Sequence, residues 1–374
     1  MTAQGAPPEW TRRRLVASLV GAGAVAPFLR GSRLDTEDGV VLRYTAHIPN
    51  SHGLYSRVFL PWEEMVTERT QGRIRWEHYV DGLLHGALDG FKAVASGITD
   101  YTHAYATYLP GSFHLTHGLQ LPFLFPTPAV AALVSEELYP AYLKDEYERM
   151  GVYLAHCDAT TAYDIISMTP VRTPEDIRGL KVRSTGGLMA EIIREVGAIP
   201  VVIAASETYT AFQRGIIDAV ALGGPDMAAY RLYEIGRYYL RIGLTHTILQ
   251  YCLSPRTFDA LPDDLRVQLY DLYRFRGQVA HRNYYGNEAL QTALDRLSGA
   301  GVEIIETTPD EVQAWRDAVE PLERRFIEEN EARGLAAEAF VREAKARAAA
   351  YEGWSDDQLW NQVADRPVQG IITF

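Results

Sequence analysis

Residues 180–187 read Leu180-Lys181-Val182-Arg183-Ser184-Thr185-Gly186-Gly187, and the reading of the fold starts from them. Residues 180–183 have the composition of a short strand. Behind them Leu188, Ile192 and Val196 recur at helical spacing, with Ser184 or Thr185 as the expected helix N-cap. Arg183 therefore stands where a strand ends and a helix begins, beside free backbone N–H groups and the positive end of the helix dipole. A guanidinium there can grip a carboxylate through two parallel hydrogen bonds, which a lysine cannot do. The expectation is that Arg183 holds the acid group of a small ligand. The plain alternative is a surface arginine in a solvated ion pair.

Working outward, residues 173–179 form a single helical turn with Pro174 at its first position and Gly179 closing it. After the Arg183 unit come a strand over 199–203, a helix over 206–215 with Tyr209 and Phe212 inward, and a buried strand over 216–222. Gly223-Gly224-Pro225 breaks that strand, and a helix starts near Asp226. On the other side, strands over 40–46, 73–80 and 99–105 alternate with helices over 54–70 and 86–96. That order argues for a parallel sheet covered by helices. The prolines of 119–126 forbid a central strand or a helix interior, so this stretch is an extended packed segment. A helix follows over 128–150. Residues 152–158 and 163–168 read as strands paired around a polar turn at 159–162. The strand–helix pattern occurs before and after about residue 158, which points to two lobes of similar build. Residues 246–254 are strand-like. Residues 263–298 read as one helix, long enough at about 1.5 Å per residue to span both lobes. A last strand over 302–306 precedes charged, alanine-rich helix over 309–351, broken near Gly334.

The chain has 374 residues, of which 47% are hydrophobic and 22% charged, enough for a sizeable core. The formal net charge of −12 and the lack of a basic stripe argue against a nucleic-acid partner. Two cysteines, Cys157 and Cys252, make neither a disulfide scaffold nor a zinc site. Arg12-Arg13-Arg14 followed by an apolar run over 15–29 has the order of an export signal, and the paired arginines suggest the twin-arginine route. That run is short for a membrane span. Residues 1–34 are therefore expected to be a signal peptide and the rest periplasmic.

Three stretches together resemble a known family. They are 119–125, rich in proline and phenylalanine; Asp176-Ile177-Arg178-Gly179-Leu180-Lys181-Val182-Arg183; and Glu207-Thr208-Tyr209-Thr210-Ala211-Phe212-Gln213-Arg214-Gly215-Ile216-Ile217-Asp218. In order and spacing they are similar to the motifs of the extracytoplasmic solute-binding proteins of TRAP (tripartite ATP-independent periplasmic) transporters. The likeness covers nearly everything after residue 38. It implies an α/β, two-lobed periplasmic binding protein fold, type II-like, with hinge strands and a long helix spanning both lobes. Lobe 1 would comprise 38–158 plus 248–287, and lobe 2 would comprise 159–247 plus 288–374. It implies a small carboxylate held by Arg183 in an interlobe cleft and delivered to membrane-embedded permease subunits by a monomer, without a cofactor. The chain departs from the pattern at two places. Many members carry a further arginine about 20 residues before the main one, where this chain has Tyr163. Members that take 2-oxo acids often have Glu-Trp before Val-Gly-Pro, where Ala221-Leu222 stands here, which argues against a metal-assisted site. The pocket is expected to be apolar or aromatic around one acid group.

Candidate contacts besides Arg183 are His47, after the first strand; His103 and Tyr105, at the end of the third; and Tyr163, Gly223 and Asp226 from the second lobe. A lone histidine is more often a satisfied structural one, and Tyr209 suits core packing. An exported enzyme acting on a small carboxylate is the competing class. It lacks support, since no nucleophile elbow, zinc-binding HExxH or phosphate loop is present. A ligand sensor for a membrane receptor shares every feature of the binding-protein reading.

Overall fold

The computed structural model describes residues 34–35 and 39–374. Residues 11–29, which carry the export-signal expectation, lie outside the described residues. The strands are Leu34–Asp35 (β1), Gly39–Thr45 (β2), Ile74–Tyr79 (β3), Tyr101–His103 (β4), Tyr153–Ala159 (β5), Tyr163–Ser167 (β6), Lys181–Ser184 (β7), Ile199–Val202 (β8), Ala219–Gly223 (β9), Tyr238–Arg241 (β10), Ile248–Leu253 (β11) and Glu303–Glu306 (β12).

They form two sheets. The first runs β1-β2-β4-β11-β5 with β3 also on β2, and the second runs β12-β10-β6-β9-β7-β8. Each packs its own apolar core. Leu42, Tyr44, Trp62, Val134 and Tyr251 belong to the first; Ile165, Val182, Ile192, Val220 and Trp315 belong to the second. The chain is thus two-lobed and α/β, as the helix–strand alternation required. The expected parallel order holds for β3-β2-β4, whereas β11 runs antiparallel to both β4 and β5.

β5 and β6 do not pair with each other, contrary to the sequence reading. β5 pairs with β11 in the first sheet, and β6 pairs with β9 and β10 in the second. The polar stretch 160–162 is a crossing between sheets rather than a hairpin turn. A second crossing, 242–247, lies against it. Thr160 N donates to Thr247 O at 3.0 Å, Tyr163 N to Thr245 O at 2.7 Å and Leu244 N to Tyr163 O at 2.9 Å. Gln120 Nε2 donates to Thr247 Oγ1 at 3.1 Å, and Phe123 N to Leu244 O at 2.9 Å, so the proline-rich segment braces the second crossing.

The single helix expected over 263–298 is a chain of shorter ones. Asp263–Arg274 and Arg276–Ala280 are α-helical, His281–Tyr285 is a π turn, Gly286 is extended, and Asn287–Gly299 resumes. The second piece is drawn onto β5 at Gly277, where an added Cβ would lie 2.7 Å from Cys157 O. The chain of helices still passes from the first core, at Tyr273 and Ala280, to the second, at Leu294 and Leu297. Helix Pro321–Glu331 passes back, with Leu322 in the second core and Phe326 in the first. Phe340, Val341 and Ala344 follow it into the first core, whereas the sequence division had put 288–374 with the second lobe. Cys157 and Cys252 are buried free thiols. None of the described helices is long and apolar enough to cross a membrane.

Candidate functional site

β7 lies between β8 and β9, parallel to both. Strand alternation sends Val182 into the second core and Arg183 to the opposite face. Arg183 is 0% exposed. Its Nε donates to Ile203 O at 3.1 Å and its Nη1 to Ala221 O at 3.4 Å, while Nη2 has no partner. Among the described residues, no carboxylate oxygen lies within ion-pairing distance of this guanidinium. A buried cation without a counter-ion is costly, and burial of a charge is tolerated when something pairs with it.

The expected N-cap is displaced. Helix Gly187–Glu195 is capped by Gly186, at φ 105°, and neither Ser184 nor Thr185 caps it. Gly186 is required there because a Cβ would meet Thr107 O at 2.9 Å. Ser184 Oγ and Thr185 Oγ1 remain buried without partners.

Arg183 lines a small cavity of about 40 Å³ between the two sheets. His47, His52, Tyr105 and Tyr108 face it from the first lobe, and Tyr163, Thr185, Asp226 and Tyr230 from the second. Tyr285 joins them from the π turn. Besides Arg183 Nη2, the buried atoms His47 Nδ1, His52 Nε2, Thr107 Oγ1 and Thr185 Oγ1 at this cavity lack protein partners. Clustered unsatisfied groups of this kind are what a ligand site presents before its ligand arrives. A larger concavity of about 1120 Å³ lies between 121–128 and the C-terminal helices. It does not include Arg183, and exposed charges such as Arg324 rim it.

Of the residues singled out in the sequence, Arg183, His47, Tyr105, Tyr163 and Asp226 meet at this cavity. His103 and Gly223 do not. His103 is committed inside the first core, with Tyr44 Oη at 2.9 Å from Nε2 and Tyr105 Oη at 2.6 Å from Nδ1. Gly223 serves packing: its Cβ would lie 2.6 Å from Thr161 Oγ1. His52, Tyr108, Thr185, Tyr230 and Tyr285 also line the cavity, and the sequence reading does not single them out. Two signals were present. His52 shares the polar turn of His47, and Tyr284-Tyr285-Gly286 interrupts an otherwise amphipathic helix.

Burial dominates the electrostatics. It lowers His47 to about 3 and His52 to about 4, so both rings are neutral near pH 7. It raises the Asp226 carboxyl to about 7, against the opposing pull of the Tyr284 hydrogen bond, of Arg183 and of the Tyr285 hydrogen bond. Tyr163 is pushed up to about 12 by burial, with Arg183 opposing.

The family of bacterial extracellular solute-binding proteins numbered 7 matches residues 45–330. The chain belongs to that family. The C4-dicarboxylate-binding periplasmic protein DctP of Rhodobacter capsulatus is 25% identical over 332 residues, which cover 87% of this chain and 97% of that protein. A TRAP solute-binding protein from Rhodoferax ferrireducens, solved with copurified benzoate, has a TM-score of 0.79 at 18% identity, covering 83% of this chain and 98% of that one. Another, from Bordetella bronchiseptica with bound (R)- and (S)-mandelate, has a TM-score of 0.77 at 25% identity, covering 84% and 100%. This family-7 protein is thus a TRAP-type solute-binding protein, and its family and relatives bind solutes rather than transform them.

Proposed function

We propose that this protein captures a small organic acid in the cavity between its lobes, in the periplasm, and hands it to membrane-embedded permease subunits. Arg183 is the carboxylate partner. The observation that carries the reading is a fully buried guanidinium with one unpartnered nitrogen and no carboxylate in ion-pairing range. Aromatic rings from both lobes, Tyr105, Tyr108, Tyr163, Tyr230 and Tyr285, enclose the space beside it, which suits an acid with an apolar body. The acids bound by the Rhodoferax and Bordetella proteins support this choice of ligand class. The lobes meet along the crossings at 160–162 and 242–247, and closing about those crossings is the proposed capture step. Isothermal calorimetry against a panel of monocarboxylates tests the assignment. Arg183→Lys is expected to weaken binding by about 3 kcal/mol or more, because a single ammonium cannot replace the two-pronged contact and leaves a buried acid poorly paired. Unchanged affinity in that variant removes Arg183 from the site.

A further inference from the structure

The cavity that holds Arg183 carries a second ionisable group. Asp226 lies in the first turn of helix Gly224–Ala229 and lines the same space. Its Oδ1 accepts from Tyr284 Oη at 3.1 Å, and His52 Nε2 lies 3.6 Å from that same oxygen. His52 Nδ1 accepts the backbone N–H of Leu54 at 3.2 Å, which places the neutral ring's proton on Nε2, the atom facing Asp226. Among the described residues, no lysine or arginine lies within ion-pairing distance of the acid. Arg183 and Asp226 feel each other's field without pairing. The cavity thus presents a guanidinium and a carboxyl to one small occupant. A carboxylate has about four acceptor positions, so Asp226 keeps capacity beyond the hydroxyls of Tyr284 and Tyr285.

We infer that Asp226 selects the ligand's second substituent, accepting a hydrogen bond from a hydroxyl or ammonium group and turning away a second carboxylate. The inference rests on the reading of Arg183 as the partner of the first carboxylate. A hydroxyl or ammonium facing Asp226 satisfies an acceptor that an unsubstituted acid leaves bare. Once Asp226 is ionised, above its raised value of about 7, a second carboxylate in that position brings two like charges together in a buried space, and one of them must take up a proton. The selected class is therefore hydroxy acids and amino acids, in contrast to the C4-dicarboxylates of the Rhodobacter capsulatus relative's name.

The test is calorimetry at about pH 8.5, above the raised value of Asp226, on the full chain with two matched sets of probes. One set is butyrate, γ-hydroxybutyrate, γ-aminobutyrate and succinate. The other is phenylacetate, mandelate, phenylglycine and phenylmalonate. In the wild type, the hydroxyl or ammonium member of the preferred set should bind at least about ten-fold tighter than its unsubstituted and dicarboxylate counterparts. In Asp226→Asn, which keeps the shape and removes the charge, the dicarboxylate should gain at least about ten-fold on the ammonium member. A thermal melt confirms that the variant is folded. A dicarboxylate binding tightest to the wild type, or an order untouched by Asp226→Asn, overturns the inference while leaving Arg183 in place. No binding by any probe defeats the carboxylate reading itself, and this inference with it.

Discussion

Single residues at the cavity divide by whether the protein already uses their polar atoms. His47 and His103 both follow strands of the first sheet and look alike in sequence. His103 has both ring nitrogens engaged by tyrosine hydroxyls and sits 1% exposed among Phe59, Tyr251 and Tyr105. His47 leaves Nδ1 without a partner at the cavity wall. His103→Phe keeps the ring's bulk and strands two buried hydroxyls. It is expected to cost about 2–4 kcal/mol of stability, read by urea unfolding, with ligand affinity changed less than about three-fold. A large affinity loss without a stability loss would return His103 to the site. Arg183 was legible because a strand end, a helix start and a lone guanidinium coincide within a few residues. His52, Tyr230 and Tyr285 were not, because their place depends on which faces of three separate elements meet, and no local pattern records that.

The elements show where local rules stop being sufficient. Strand periodicity marks β5 and β6 well, but it assigns no partners, and a short polar connection reads as a hairpin whether the chain turns back or crosses to another sheet. β5 closes the first sheet at one edge, and its outer backbone groups are met by side chains instead of a strand. Glu136 Oε1 accepts from Cys157 N at 3.0 Å, and Arg274 Nη2 donates to Ala155 O. The two side chains also pair with each other at 2.8 Å, both buried. A charged pair from helices Pro128–Leu138 and Asp263–Arg274 thus stands in for the missing strand. Glu136→Ala removes the acceptor of a buried N–H and leaves a buried guanidinium unpaired, and it is expected to cost about 3–5 kcal/mol. Glu136→Gln, which can keep the bond to Cys157 N, should cost distinctly less. Equal losses in the two variants would show that the backbone contact contributes nothing. The broken helix after Asp263 follows the same lesson. Its apolar stripe gives the face, while the close approach at Gly277 and the turn before Gly286 are set by β5 and the cavity.

At the scale of the whole molecule, the proposed closing of the lobes would take titratable groups out of water and so link closure to pH. His47 and His52 from the first lobe and Asp226 from the second face one another across the cavity. Burial in this structure holds the histidines at about 3 and about 4, below the usual 6.5, so protons would prefer a form in which the cavity opens to water. Their contribution to closure is complete above pH 6.5 and is lost as the pH falls below it. Asp226, raised to about 7, has the opposite sign: it favours the open form as the pH climbs from 4 towards 7. Between pH 7 and pH 5 the lowered His52 and the raised Asp226 pull in opposite directions, and their two contributions largely offset. His47 has no such counterpart. Its neighbours are His103 and Tyr105, in edge contact, with His85 and His52 adding only like charge. His47 therefore decides the balance. At pH 5 its displacement from 6.5 amounts to about 2 kcal/mol against the closed form. Small-angle scattering on the unliganded protein should show the radius of gyration growing between neutral pH and pH 5. In His47→Gln, which fills a similar space without titrating, the growth should shrink to a small fraction of that. A wild-type radius that stays constant over this range, or a variant that expands just as far, excludes His47 as the group that couples acid to opening.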